Sequence, residues 1–564
     1  MDTMEQTTRP TTPSLPGHRG PARRSVLGSV AAGAALVAVP GALGACTSQE
    51  QAAAPQDGPL SEADLAAVLP AYRPLTLAEP DIPGVDGSTP GYTTVPTTLV
   101  KSVPEVPGSG GTYTAMSPAW WTTPPGIDKN SYFQAVNAAL GATVEFQVSD
   151  GNTYADKLQA VLASPKNVPD WVVIPTWNVP PRFEQGVTAL FADLTDHLAG
   201  DKVLKYPNLA NLPTDAWKYC VFNGRLYGLP YPSELVGNAL FYRRDLFGQL
   251  GLAAPTSADE LLQVAKDATD PAARRWGCED IWDGAQLLFG CTDWTVRDGK
   301  LLSRFENENY REAIEFMREL FASGAVHPDA VAGNTQQAKD RFESGQTLIS
   351  ADGLGGWAEA LARVLPSNPA YDQQPMDWFA PDGGAPTLYK SQPVSIFSFI
   401  KKTDDAAAID EMLALANFIA APFGSEEFQL VNYGTEGTTF ERDAAGAPAL
   451  NDRGTTEVTS TYGFLVSPPI VNAKVQFPQY VRDFCDWMAR QAPHVTEPVF
   501  YGQQIQDPSQ YSSLGKPFDD LAKDIIRGRQ DVSALDAAVK EWRNSGGDEL
   551  RAYREKFLTG DEAS

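Results

Sequence analysis

The sequence predicts an α/β fold in two lobes, and three observations carry that prediction. Residues 143–148 read as a strand and Tyr154–Leu162 as a helix, with Tyr154, Leu158, Val161 and Leu162 on one face. Residues 171–174 come next as a fully apolar strand, and strand, helix and strand at this spacing form a βαβ unit, the start of a parallel sheet. The alternation then continues far beyond one unit, and 564 residues with 43% apolar content are ample for large cores.

The N-terminus constrains where the rest of the chain can work. Arg23-Arg24-Ser25-Val26-Leu27 is a twin-arginine pair before apolar residues, and an Ala/Gly/Val-rich stretch, 26–45, ends in Leu43-Gly44-Ala45-Cys46. Charge, weak apolarity and small residues before a cut site make residues 1–45 a secretory signal, with the twin arginines suggesting the Tat route. The Leu-Gly-Ala-Cys ending resembles a lipobox, so Cys46 is expected to be lipidated and to become the new N-terminus. The competing reading is a membrane span, since 26–45 is about long enough, but it is Ala/Gly-rich and holds Pro40. Two or more acyl chains would hold the protein firmly on the extracellular face of the membrane. Cleavage leaves 519 residues of net charge −28, from 40 basic and 68 acidic residues. That charge argues against nucleic acid or anionic lipid as ligand.

Residues 46–110 read as a disordered, Pro-rich tether, because Ala, Gln, Pro, Gly and Thr bury little apolar surface. A short helix over 62–69 is expected within it. Globular sequence begins at Gly111, with a first strand over 112–116. Ser257 and Glu260 form a capping box ahead of Leu261, Leu262 and Ala265. Residues 311–322 form an amphipathic helix with Ile314, Met317, Leu320 and Phe321 inward, closed by Gly324. Strands over 347–351 and Val394–Ile400, a helix over 406–420 stopped by Pro422, and a last helix carrying Leu535, Val539 and Trp542 complete the alternation.

Enzyme chemistry needs a constellation, and none stands out. The mature chain holds three scattered histidines, His197, His327 and His494, with no His-Glu-x-x-His pair, no Gly-x-Ser-x-Gly elbow and no P-loop. Asp150-Gly151-Asn152-Thr153-Tyr154-Ala155-Asp156 lacks the glycine and terminal glutamate of a calcium loop, so Asn152 or Thr153 reads as a helix N-cap, and no metal or other cofactor is expected. Cys220, Cys278, Cys291 and Cys485 remain after Cys46; Cys278 with Cys291 would close a short disulfide loop around Trp282, or both are free buried thiols.

The segments 223–231, 241–256 and 432–437, with 169–171 and 525–547, resemble in order the motifs of the large lipoprotein branch of sugar-binding proteins serving ABC importers. Asn223-Gly224-Arg225-Leu226-Tyr227-Gly228-Leu229-Pro230-Tyr231 is similar to that family's NGKxYGLPY turn. Phe241-Tyr242-Arg243-Arg244-Asp245-Leu246-Phe247, with Leu250-Gly251-Leu252 and Pro255-Thr256, resembles its YRKDxxxxLGLxxPxT stretch. Pro169-Asp170-Trp171, Asn432-Tyr433-Gly434-Thr435-Glu436-Gly437, and Ile525–Gly528 with Trp542 and Gly546-Gly547 add three more matches in the correct order. Trp171 stands where the family carries an aliphatic residue, and the cysteines match no pattern of it.

The resemblance implies a type II periplasmic-binding-protein fold: two lobes, each with a five-stranded sheet, joined by a hinge over a ligand cleft. It implies crossings near 231–240, near 385–393 and near 440. Lobe 1 would then comprise 111–236 plus 393–440, and lobe 2 237–392 plus 441–564. It also implies the partners: an ABC permease with a separate ATPase, a lipid-anchored monomer, and an oligosaccharide as ligand.

Aromatic residues in loops give a physical case for the sugar. A pyranose face packs its C–H groups on a ring, while its hydroxyls need donors and acceptors around a cleft. In open α/β sheets that cleft lies beyond the carboxyl ends of the strands. Trp120 and Trp121 follow the first strand, Trp177 and Asn178 follow 171–174, and Asp352 and Trp357 follow 347–351. Tyr231 and Glu234 sit at the inferred hinge, Trp282 and Trp294 in the second lobe, and Tyr433 with Glu436 in a family motif. These twelve are the expected ligand contacts. A secreted glycan-active enzyme and a sensory receptor are the competing classes.

Overall fold

The computed structural model describes residues 58–180 and 182–558. The signal segment and Cys46 lie outside the described residues. Among those described, no helix is long and apolar enough to cross a membrane.

The first sheet has five strands in the order Thr143–Asp150, Thr112–Ala119, Trp171–Pro175, Val394–Ile400, Gly228–Pro232. The first three run parallel, and Val394–Ile400 is antiparallel to both of its neighbours. Every residue of Trp171–Pro175 is buried, as expected of a strand covered on both faces. Trp171 is accommodated there because its Nε1 donates to Ser398 Oγ at 2.8 Å. Tyr154 and Tyr132, also fully buried, donate their hydroxyls to the carbonyls of Val173 and Val431, both at 2.7 Å. The core around this sheet takes in Phe397, Phe399, Leu413 and Ala416, and continues to Tyr462, Leu465 and Val466.

The second sheet has four strands, not five: Gln373–Pro375, Asn238–Arg243, Thr347–Gly353, Trp276–Cys278. The helix Glu308–Ala322 lays Ile314, Met317, Leu320 and Phe321 into its core. Trp357, Phe484 and Trp487 belong to the same core, with Trp487 Nε1 donating to Met376 O at 2.8 Å. At the end of this sheet Glu279 and Arg341 form a buried two-point ion pair at 2.7 and 2.6 Å, with Thr347 Oγ1 donating to the same carboxylate.

The backbone crosses between the two cores at residues 233–237 and 390–393, where Ser233 N bonds Pro393 O and Ser391 N bonds Leu235 O, both at 3.0 Å. The third crossing is not near 440. Tyr462–Val466 still packs in the first core while Tyr480 and Val481 pack in the second, so the chain passes over near 467–476. Residues 441–466 therefore do not pack into the second core.

Residues 58–110 are not a loose tether. The helix Glu62–Val68, capped reciprocally by Ser61 and Asp64, sets Val68 into the first core. Ala71 N and Arg73 N bond the carbonyls of Gly200 and Ala210. Ile82 and Gly91 then pair with each other, Tyr92 N bonds Asn472 O at 2.8 Å, and Val103 N bonds Glu427 at 2.9 Å. Prolines remove donors here, but amides such as those of Ala71, Arg73, Tyr92, Val100 and Val103 find partners on the body.

The four cysteines Cys220, Cys278, Cys291 and Cys485 are free thiols, so no disulfide joins Cys278 to Cys291. The intervening segment folds as the helix Trp282–Leu288, and Cys278 packs instead toward Ala325, whose carbonyl lies 3.8 Å from its Sγ. Thr153 is the N-cap of Tyr154–Leu162 but makes no capping bond; Asp150 Oδ1 instead accepts from Asn152 N at 2.7 Å.

Candidate functional site

Two parallel strands of the first sheet, Thr112–Ala119 and Trp171–Pro175, end side by side, so the residues after them emerge together. Trp120 and Trp177 meet with ring centroids 5.9 Å apart. Phe464, in the turn before the third crossing, joins them: it lies 6.0 Å from Trp120, 5.8 Å from Trp121 and 6.1 Å from Tyr231. Gly151 makes room for this group, since a Cβ there would collide with the Trp120 indole. Trp177 is 63% exposed, a large apolar surface left to solvent by the fold. The Trp121 Nε1 and Asn178 Nδ2 donors in this wall have no hydrogen-bond partner among the described residues.

Polar groups stand near the aromatic wall. Burial pushes the Tyr231 phenol up to about 12, and the charges of Glu234 and Glu359 push it the same way. Glu234 lies on the first crossing and Glu359 on the second-lobe helix Gly355–Val364, so this phenol feels carboxylates from the hinge and from the far lobe. Burial raises Glu234 to about 7, opposed by a hydrogen bond from the Thr89 hydroxyl. Glu359 is also raised by burial, although Lys339, Arg363 and Lys474 oppose the shift. Lys474 is exposed, yet surrounding protein holds its ammonium below the ordinary lysine range. Asp352, at the carboxyl end of Thr347–Gly353, pairs with Lys339 at 3.6 Å.

The arrangement offers flat apolar rings on one side and carboxylates and an ammonium on the other, at the hinge between two lobes. Known proteins share the fold that carries it. The family model for bacterial extracellular solute-binding proteins matches residues 131–422, more than half of the chain. The chain belongs to that family. Lipoprotein LipO of Bacillus subtilis is 22% identical over 479 residues, covering 78% of this chain and 91% of LipO. The polygalacturonan/rhamnogalacturonan-binding protein YtcQ of the same organism is 23% identical over 432 residues, covering 71% and 83%. The solved structure of the Streptococcus pneumoniae ABC-transporter substrate-binding protein FusA in complex with kestose aligns with a TM-score of 0.58 at 16% identity, covering 78% of this chain and 97% of FusA. The fold is accordingly that of the type II solute-binding proteins.

In this binding protein the fold gathers Trp120, Trp121, Trp177, Asn178, Tyr231 and Glu234, with Asp352 at the carboxyl end of the second sheet's strand Thr347–Gly353. Five expected contacts fall elsewhere. Trp357 is 1% exposed and packs against Phe241 and Tyr480, because Gly355-Gly356 open a helix that turns the ring into the core. Trp282 is half-buried against Tyr310 at 5.4 Å. Trp294 is buried in a separate C-terminal cluster, 6.5 Å from Trp542. Tyr433 is buried and donates to Ala473 O at 3.1 Å, while Glu436 is spent on an exposed ion pair with Arg442. Phe464, Glu359 and Lys474 are additions that sequence reading missed.

A cavity of about 560 Å³, bounded in part by Trp294, Phe500 and Trp542, has none of these wall residues in its lining. Its rings are buried against one another, and its charges are paired, Arg554 with Asp507 and Arg304 with Asp519. It is therefore the weaker candidate for capturing a solute from water.

Proposed function

We propose that the protein captures an oligosaccharide on the Trp120–Trp177 wall and delivers it to an ABC permease driven by a separate ATPase, while held to the extracellular face of the membrane through a lipidated Cys46. The observation that carries this reading is the exposed ring of Trp177 grouped with Trp120, Trp121, Tyr231 and Phe464 at the carboxyl ends of the first sheet. Such rings suit the C–H face of a pyranose, and Glu234, Asp352, Glu359 and Lys474 suit its hydroxyls. YtcQ, named for binding polygalacturonan and rhamnogalacturonan, and FusA, solved with kestose, support a saccharide. Binding would work by closure: a sugar touching both lobes stabilises the form in which they meet, by the contacts it makes only there.

A thermal-shift screen tests this. Kestose, maltohexaose, xylohexaose and oligogalacturonate would be added in excess, alongside a peptide and divalent cations. A ligand at 100 times its Kd adds about 2.7 kcal/mol to stability, so a bound saccharide raises Tm visibly. A peptide or metal that shifts Tm while every saccharide fails ends the sugar assignment. New reducing ends on incubation would favour a glycan-active enzyme instead.

A further inference from the structure

The segment 58–103 spans the hinge twice, in addition to the three connections between the cores. It starts on the first core through Val68, Ala71 and Arg73. It then reaches the second core, where Gly91 lies so close to the helix Pro478–Gln491 that a Cβ would sit 2.6 Å from Cys485 Sγ and 2.9 Å from Val481. It returns to the first-lobe side at Ser102 and Val103, which bond Glu427. At the far point the strap is tied to the third crossing in both directions, Tyr92 N to Asn472 O at 2.8 Å and Asn472 N to Pro90 O at 2.9 Å. Asp81 fixes the base of this loop by accepting from the amides of Thr93 and Thr94.

Thr89 stands at the tip of that loop, 2% exposed, and its hydroxyl donates to Glu234 Oε2 on the first crossing. The other carboxylate oxygen, Oε1, makes no hydrogen bond among the described residues. Around the carboxylate stand the Tyr231 phenol of its own segment and Tyr480 and Cys485 of the helix Pro478–Gln491, each feeling its charge. The Tyr231 phenol also feels the charge of Glu359, which in turn interacts with Lys474.

Resting on the oligosaccharide reading above, we infer that Thr89 is a positioning residue for ligand capture: the strap holds one oxygen of Glu234 so that the other is presented to a sugar hydroxyl at the hinge. The strap thereby becomes part of the binding machinery rather than a spacer. A hydrogen bond to a charged group that fixes one rotamer of a carboxylate is worth about tenfold in affinity when the ligand uses that carboxylate.

The mature chain carrying Thr89→Val, Thr89→Ser, Glu234→Gln or Thr89→Val with Glu234→Gln would be titrated with whichever of kestose, maltohexaose, xylohexaose or oligogalacturonate shifts the wild type. Thr89→Val should weaken binding about tenfold, Thr89→Ser should stay within about twofold of wild type, and Thr89→Val should have a clearly smaller effect on the Glu234→Gln background, where the ligand no longer meets a carboxylate. A second readout needs no ligand. Urea midpoints between pH 5 and 9 should show the Glu234-dependent fall of stability displaced to higher pH in Thr89→Val, because the lost hydrogen bond favoured the charged carboxylate. Wild-type affinity and a wild-type pH profile in Thr89→Val would overturn the inference. If no saccharide binds the wild type, the proposed function fails, and the urea profile alone still decides whether Thr89 holds Glu234.

Discussion

Trp177 and Trp357 both follow a strand by a short turn, and their fates differ because of one local feature. After Pro175 the chain makes a single 3-10 turn that leaves the Trp177 ring outside, whereas after Gly353 a full helix begins and Trp357 falls on its inner face. Trp177→Ala should therefore leave stability within about 0.5 kcal/mol of wild type while cutting saccharide affinity at least about tenfold. Trp357→Ala should cost about 3–5 kcal/mol in urea denaturation, as for any large buried ring. Glu234 yields a pH dependence whose sign follows from its raised value. Its folded pKa of about 7 exceeds the ordinary carboxyl value of 4.5, so between those limits the folded state keeps a proton that the unfolded state has released. Stability from this group is full below about pH 4.5 and is lost as pH rises through 7, with Glu359 adding in the same direction. Glu234→Gln should flatten that part of the urea-midpoint profile; an unchanged slope would contradict the assignment.

Elements were the most legible scale. The strands around 112, 143, 171, 347 and 394 and the helices Tyr154–Leu162 and Glu308–Ala322 could be read because their apolar period matches their geometry. The strap could not, since its order comes from carbonyls and carboxylates supplied by residues distant in sequence, such as Glu427 to Ser102 and Asn472 to Tyr92. Phe464 was invisible for the same reason: one apolar residue in a short turn reaches Trp120 only through the fold. The strap can be checked by protease. Lys101 lies within it, followed by Ser102, and trypsin should cut there no faster than in the lobes, whereas a free tether would be nicked at once. The end of the second sheet offers a stability test, because Arg341→Met leaves Glu279 buried without its counter-ion. A loss of about 3–5 kcal/mol is expected in urea denaturation, and a neutral result would mean that the pair is not sealed from water.

At the scale of the whole molecule, two cores with separate sheets are joined by the crossings at 233–237, 390–393 and 467–476, and the strap adds contacts across the same place. Lobes connected in this way can move as rigid bodies about a few residues, and a ligand between them sets their spacing. The aromatic wall belongs to one lobe and most of the charged groups to the other or to the hinge, so neither lobe alone supplies both halves of the proposed site. The most direct measurement is a crystal structure of the protein grown with the saccharide that raises its Tm most. The expected result is a sugar ring lying on Trp177 and Trp120 with a hydroxyl bonded to Glu234. Density for the sugar in the cavity beside Trp294 and Phe500, with the Trp177 wall bare, would contradict it.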